Sequence, residues 1–419
     1  MNIKADMFLS DHSQKKFPDF LTERMDHFFN ERWGKLWGGK HLLRGDIPDD
    51  SAIQMISSDY LSLASHRDII ESQVTCLRTG PESVMMSGSL MRGDTPQRRF
   101  ERRMAEYMGY EAGILCQSGY AANVGLIQSI SEAGMPVYMD MNAHASLWEG
   151  VRSGGASVRP FRHNDLQHLQ RQMERYGPGL LCVDSVYSTT GSLCHLPEVV
   201  ALAEHHDCMV LVDESHSLGT HGPSGAGLVR ELGLQHRVHF VTASLAKAFC
   251  GRAGLILCPR QFAEYFWMTS LPAIFSSCLL PAEIAGLDTT LDIIVRDEWR
   301  RELLHANADY LRDGLASCGY NVTASDSQII SLEAGAEDAT LLLRESLERQ
   351  GVFGSVFCAP ATAKGRSMVR FSVKAAMTRA QLDHVLNVCD AVRDEVGMAQ
   401  WPSTLRLARD EKKRELSMA

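Results

Sequence analysis

Asp213, His216, Ser244 and Lys247 fall within one stretch in which apolar runs end in polar groups. Met209-Val210-Leu211-Val212 has the unbroken apolar character of a buried strand and delivers Asp213 at its C-terminal end. Val238-His239-Phe240-Val241 does the same for Ser244 and Lys247. Two parallel strands would set an acid, an imidazole, a hydroxyl and a primary amine at one edge of a sheet, where open α/β sheets bind ligands. A lysine that forms a Schiff base and an acid that keeps a pyridine nitrogen protonated are what pyridoxal phosphate (PLP) needs. Lys247 and Asp213 are the candidates, because they stand 34 residues apart at the ends of two strand-like segments. Taken singly, a strand-terminal Asp is more often a helix cap, and a loop Lys is more often solvated.

Other segments supply further groups. Gly113-Ile114-Leu115-Cys116 runs into Gln117-Ser118-Gly119-Tyr120-Ala121-Ala122-Asn123, the start of a helix of small residues. Amides at a helix N-terminus cradle phosphate, and Gly119 permits close approach. Val137-Tyr138-Met139-Asp140 reads as a strand that leads to His144, an imidazole able to lie flat on a cofactor ring or to be satisfied by local hydrogen bonds. No second histidine or cysteine stands three or four residues from it, so a metal role has little support. Leu180-Leu181-Cys182-Val183 ends in hydroxyls, among which Ser188 is placed to reach a phenolic oxygen. Ser57-Ser58-Asp59-Tyr60 reads as a turn, and Met85 to Gly93 as a flexible loop ahead of a helix around Phe100 to Met108.

These segments need a large scaffold, and 419 residues provide one. The expected organisation is an arm over 1–50, a large α/β domain over 51–300, a smaller α+β domain over 301–400 and a charged tail over 401–419. The succession of strands and helices from 113 to 247 predicts parallel crossovers. A helix is expected near Phe17 to Trp33, packed on a neighbouring subunit or covering a site, and one long helix over Pro281 to Leu315. A net charge of −9 excludes a nucleic-acid surface of the usual basic kind. The eleven cysteines form no CxxC pair, which points to reduced thiols in the cytoplasm. No apolar run is long enough to span a membrane, so neither secretion nor stable membrane insertion is expected.

Over nearly its whole length the chain resembles the α-oxoamine synthases, PLP enzymes of fold type I. The matching pieces are Ser-x-Asp-Tyr-Leu-x-Leu at 57 to 63, Ser-Gly-x-x-Ala-Asn at 118 to 123, His-Ala-Ser at 144 to 146, Tyr187-Ser188, Asp-Glu-x-His at 213 to 216 and Ser244-x-x-Lys247. Asp213-Glu214-Ser215-His216-Ser217-Leu218-Gly219, Thr242 to Lys247 and Gly351 to Cys358 look like the branch that makes α-hydroxyketone autoinducer precursors for quorum sensing.

The resemblance implies a fold type I transferase with a mostly parallel sheet, acting as a homodimer with shared active sites. It implies that Lys247 carries PLP, Asp213 faces the pyridine nitrogen and His144 stacks on the ring. Ser188 and His216 would bond the phenolic oxygen, and the Gly119 and Tyr120 amides with Ser244 would hold the phosphate. Ser276 or Ser277 of the other subunit would complete the phosphate site. Ser58 and Arg370 would bind the donor carboxylate, with Arg366 an alternative to Arg370.

The implied reaction is decarboxylative condensation of a medium-chain acyl-CoA with S-adenosylmethionine or 2-aminobutyrate to an aminoketone. Three departures stand out: Ser58 replaces the family's Asn, Thr190-Gly191-Ser192 replaces Asp-Gly-Asp, and Gln97 and Arg98 occur where a histidine is usual after the loop glycine. Alternatives are an α-oxoamine synthase that uses glycine, alanine or serine, and a non-catalytic PLP-binding regulator. A nicotinamide dehydrogenase is excluded, because no GxGxxG joins a first strand to a helix.

Overall fold

The computed structural model describes residues 17–80 and 85–418, apart from the side chains of 411 and 413–418. The start of the arm, 1–16, lies outside the described residues. The strands are β1 (Ile53–Gln54), β2 (Ala112–Cys116), β3 (Pro136–Asp140), β4 (Ser157–Phe161), β5 (Leu180–Asp184), β6 (Met209–Asp213), β7 (Phe240–Ser244), β8 (Gly254–Cys258), β9 (Ile329–Gly335), β10 (Val352–Phe353), β11 (Ser355–Phe357) and β12 (Ser367–Ser372). A seven-stranded sheet runs in the order β2-β8-β7-β6-β5-β3-β4.

Strands β3 to β7 are parallel, as expected. The turn after Lys247 reverses the chain, so β8 is antiparallel to β7, and β2 joins the sheet only through β8. The parallel succession therefore begins at β3 and not at residue 113.

Alternation explains why these strands read as unbroken apolar runs. Leu180, Cys182 and Leu211 face one core beside Leu126, Ile127 and Leu147, whereas Leu181, Val183, Val210 and Val212 face a second beside Val199, Val200 and Phe100. Full burial of each such Leu or Val stabilises by about 1.5–3 kcal/mol, so packing decides the register. The second core continues without a break to Ile329, Ile330, Leu332, Val369 and Phe371 on β9 and β12. β11, β12 and β9 make an antiparallel sheet, and β1 pairs in parallel with β10.

The expectation of one long helix needs correction. The helix over Pro281 to Leu315 is two helices, Pro281–Arg296 and Glu298–Ser317, broken at Asp297. The Asp297 backbone is non-helical there, and its carboxylate accepts from the guanidinium groups of Arg296 and Arg300. The arm is helical over Asp19–His27 and continues in wider turns over Phe28–Leu36. It packs on its own chain: Arg32 and the Trp37 indole bond Glu337 at 2.7 and 2.8 Å, and Lys40 bonds Glu345 at 2.7 Å. The tail is the helix Pro402–Met418, in which Arg406 bonds Glu333 at 2.6 Å.

Glu101, on the helix Pro96–Met108, is buried and accepts from Gln97 and from the Leu115 amide, each at 2.9 Å. Burial pushes its carboxyl up to about 7. The folded state therefore binds more protons than the unfolded one between pH 4.5 and about 7, and stability falls as pH rises through that window. Urea midpoints at pH 5 and pH 8 check this: Glu101→Gln reduces the loss between them, by up to about 3 kcal/mol of the wild-type difference.

Candidate active site

Asp140, Asp184 and Asp213 end β3, β5 and β6, and all three are buried. Asp184 and Asp213 are register partners on adjacent strands. Burial, reinforced by the charge of Asp213, pushes the Asp184 carboxyl well above its ordinary range, while the His144 amide, 3.2 Å from it, opposes this. Asp213 is supplied with donors on both oxygens, the Ser215 amide at 2.8 Å and Asn123 Nδ2 at 2.6 Å. Asn123 also donates to Ser146 Oγ at 2.8 Å and accepts from Thr242 Oγ1 at 2.6 Å. Ser146 Oγ lies 2.7 Å from His144 Nδ1.

His144 is the N-cap of the helix Ala145–Gly154, its Nδ1 accepting from the Ser146 amide. The local satisfaction that sequence allows is therefore real, yet the residue remains exposed and its ring available.

Lys247 lies on the turn after β7. The turn is tight: Cys250 has φ +52° and its thiol donates to Asp59 at 2.9 Å, while a Cβ on Gly219 would sit 2.6 Å from Ala248 Cβ. Burial pushes the Lys247 amine down, Arg370 pushes the same way, and Asp213 opposes them.

His216, buried behind it, faces the Tyr60 hydroxyl at 2.7 Å. Burial raises the Tyr60 phenol, and burial with Lys247 and Arg370 holds His216 well below its usual range. Tyr60 thus donates to Nδ1 of a neutral ring, and His216 offers Nε2–H.

The expected phosphate cradle is a helix N-terminus packed closely against the end of β7. Ser118 caps the helix Gly119–Ile130, accepting from the Ala121 amide at 3.1 Å, and a Cβ on Gly119 would lie 2.6 Å from Ser244 Cβ. Only glycine lets the helix N-terminus approach Ser244 so closely. Ser215 Oγ accepts from the Ser244 amide at 2.7 Å and ties the two strand ends together. Tyr120 is exposed. Ser276 Oγ donates to Gln117 of its own chain at 2.9 Å, beside the cradle, whereas Ser277 is exposed and bridges Ser87.

Arg370 and Arg366 separate cleanly. Arg366 is half-exposed and paired with Glu333 at 2.6 Å, which also holds Arg406. Arg370 is buried in β12, bonds the Ser188 carbonyl at 2.7 Å, and lies over the Phe357 ring at 4.6 Å. Its Nε is buried with no hydrogen-bond partner among the described residues. Ser58 and Arg370 both act to lower the Tyr60 phenol against the larger effect of burial, which places both near it. Ser192, where the family has Asp, contacts His163 Nε2 at 2.9 Å, and His163 Nδ1 faces Asp140 at 3.0 Å. No group of three or more potential metal ligands occurs among the described residues.

A cradle that a methyl group would fill, a carboxylate with two donors, an exposed imidazole and a half-buried lysine fit PLP in charge and shape. This is the site of a PLP enzyme of fold type I. Residues 53–388 match the aminotransferase class I and II family. The chain belongs to that family, and within it to the PLP-dependent acyltransferases of α-oxoamine synthase type. It is 44% identical over 375 residues to the CAI-1 autoinducer synthase of Vibrio campbellii, covering 90% of this chain and 95% of that one. It is 30% identical to 8-amino-7-oxononanoate synthase 1 of Bacillus velezensis, covering 84% and 90%. A serine palmitoyltransferase of S. paucimobilis, with a bound PLP-myriocin aldimine, superposes with a TM-score of 0.83 at 27% identity, covering 90% and 99%.

Sequence reasoning did not single out Asn123, Thr242, Ser146, Tyr60 and Asp184 as site residues. Asn123 and Ser146 do close motifs read from the sequence, Tyr60 lies inside another, and Asn123 is a polar residue inside a small, apolar helix. Gly119→Ala tests the cradle. With fold retained by circular dichroism, PLP affinity from absorbance titration falls roughly tenfold or more, because the Cβ pushes Ser244 and the helix N-terminus apart.

Proposed function

We propose that the protein condenses a medium-chain acyl-CoA with S-adenosylmethionine or 2-aminobutyrate, with loss of carbon dioxide, to an aminoketone precursor of an α-hydroxyketone autoinducer. The observation that carries it is that Arg370, a buried arginine on β12 with an Nε unpartnered among the described residues, comes close enough to Lys247 and Asp213 at the end of the central sheet to act on the same amine. The likeness to an autoinducer synthase supports the product class.

Residues 51–300 supply the groups that hold PLP: Lys247, Asp213, His144, Ser188, His216, Ser244 and the Gly119 and Tyr120 amides. Residues 301–400 supply Arg370. When bound, PLP supplies an electron sink for the negative charge left when the donor's α-proton is removed. Lys247 Nζ takes that proton, and its lowered pKa favours the neutral amine a base requires. Arg370 Nε and Ser58 hold the donor carboxylate until it is lost. His144 bonds the acyl carbonyl as the carbon–carbon bond forms and CoA leaves. His216 Nε2–H and Ser188 bond the phenolic oxygen.

A second copy of the chain adds Ser276 or Ser277 to the phosphate site of a homodimer. Support comes from the apolar surface around that segment: Phe275 is 80% exposed and Met268 78%, and exposed Met85 and Leu90 flank Ser87, which is bridged to Ser277.

The test is to incubate purified protein with acyl-CoAs of graded length and with S-adenosylmethionine, 2-aminobutyrate, glycine, alanine or serine, measuring CoA release and product mass. A medium-chain aminoketone from one of the first two donors is the expected result. Release only with glycine, alanine or serine would move the protein to another α-oxoamine synthase activity. PLP binding without CoA release from any pair would make it a regulator. Lys247→Ala abolishes turnover, and Arg370→Ala raises donor KM roughly a hundredfold while Arg366→Ala leaves it near wild type.

A further inference from the structure

The polar chain behind the site fixes where its protons lie. Asn123 is 1% exposed, so each of its amide hydrogens and its oxygen needs a partner. Its orientation is forced. With the amide reversed, its oxygen would face Asp213 Oδ2 at 2.6 Å, acceptor against acceptor. Nδ2 therefore donates both to Asp213 and to Ser146 Oγ, and Oδ1 accepts the Thr242 hydroxyl proton.

Ser146 Oγ, also fully buried, then receives one proton from Asn123 and has one of its own to give. The group beside it at 2.7 Å is His144 Nδ1. The Ser146 amide approaches the same nitrogen at 3.3 Å. Nδ1 is thus approached by two donors, and the proton of the neutral ring belongs on Nε2.

We propose that the relay Asp213–Asn123–Ser146–His144 locks His144 in the Nε2–H tautomer, so that the residue meets the substrate as a hydrogen-bond donor and not as a base. Asn123 and Ser146 are positioning residues. Neither has to touch the substrate, yet the carboxylate that faces the pyridine nitrogen and the imidazole that covers the ring are set by one amide. The donor lies at the end of a buried chain and needs no reorientation when negative charge develops on a carbonyl oxygen, which is the condition for electrostatic stabilisation. The assignment to the acyl carbonyl rests on the function proposed above; the tautomer does not.

Two-bond proton–nitrogen NMR spectra of histidine-labelled, PLP-loaded protein test it, with His144 assigned by the signal missing in His144→Gln. The wild-type ring is expected as Nε2–H, and Ser146→Ala and Asn123→Ala are expected to move the population toward Nδ1–H. With Ser146→Ala, kcat/KM for the acyl thioester falls roughly tenfold while PLP content is kept. A wild-type ring protonated on Nδ1 overturns the proposal. So does an unchanged tautomer in a variant that retains the wild-type circular dichroism. Should Asn123→Ala fail to fold, the wild-type spectrum and Ser146→Ala decide the matter. Absence of any ketone product from the wild-type enzyme would remove the carbonyl role alone and leave the tautomer standing.

Discussion

Asp213 sits at the end of a strand buried on both faces, and a carboxylate so placed must be given donors from within the protein. Asn123 and the Ser215 amide provide them. Much of the site follows from that requirement. Asn123 has to come from a helix whose N-terminus lies against β7, and this closeness is possible only because Gly119 has no side chain to meet Ser244. The glycine that brings the helix N-terminus against Ser244 is therefore also the residue that lets the asparagine reach the carboxylate.

The same edge shows how burial sorts equivalent groups into different roles. Asp184 and Asp213 are neighbours in register, yet Asp213 has two donors and Asp184 is given the single, longer contact from the His144 amide. Glu214, next in sequence to Asp213, is fully buried, with its carboxyl pushed up to about 7 despite the Val229 amide and Ser217 hydroxyl. Around Lys247 the balance runs the other way, since desolvation and Arg370 together outweigh the attraction of Asp213. Residue type alone distinguishes none of these cases; the supply of donors and water does.

The turn at Ser188 joins the central sheet to the smaller antiparallel one. Arg370 bonds the Ser188 carbonyl, Ser331 bonds that of Thr189, and Ser325 bonds that of Thr190 at 2.7 Å. From the other side His163 reaches Ser192. The loss of the family's aspartate at Ser192 leaves this clamp in place, with a hydroxyl contact to His163 where a charge would otherwise stand. Such a turn moves only if both sheets move, which holds Ser188 and Arg370 in one frame.

The strand-end positions of Asp213, His144 and Lys247 were legible in sequence because the signal is local: an apolar run, then a polar residue, at spacings that strands and crossovers permit. Sequence motifs likewise carried the family and the cofactor. Strand direction was not legible for β8, since Leu255 to Cys258 is equally apolar whichever way it runs, and only the sharp turn at Cys250 reverses it. Nor was the break at Asp297, where two arginine contacts displace a residue that periodicity would keep helical. The contact of Tyr60 with His216 spans 156 residues. Arg366 and Arg370 stand four residues apart with like side chains, yet Glu333, which also pairs with Arg406, occupies the first, while the second is buried with a nitrogen that has no partner among the described residues. Sequence by itself determined which groups were available to the chemistry, because type and local spacing are written in the chain. The tertiary structure alone decided which of them are paired, desolvated or free, because those properties belong to neighbours brought together only by folding.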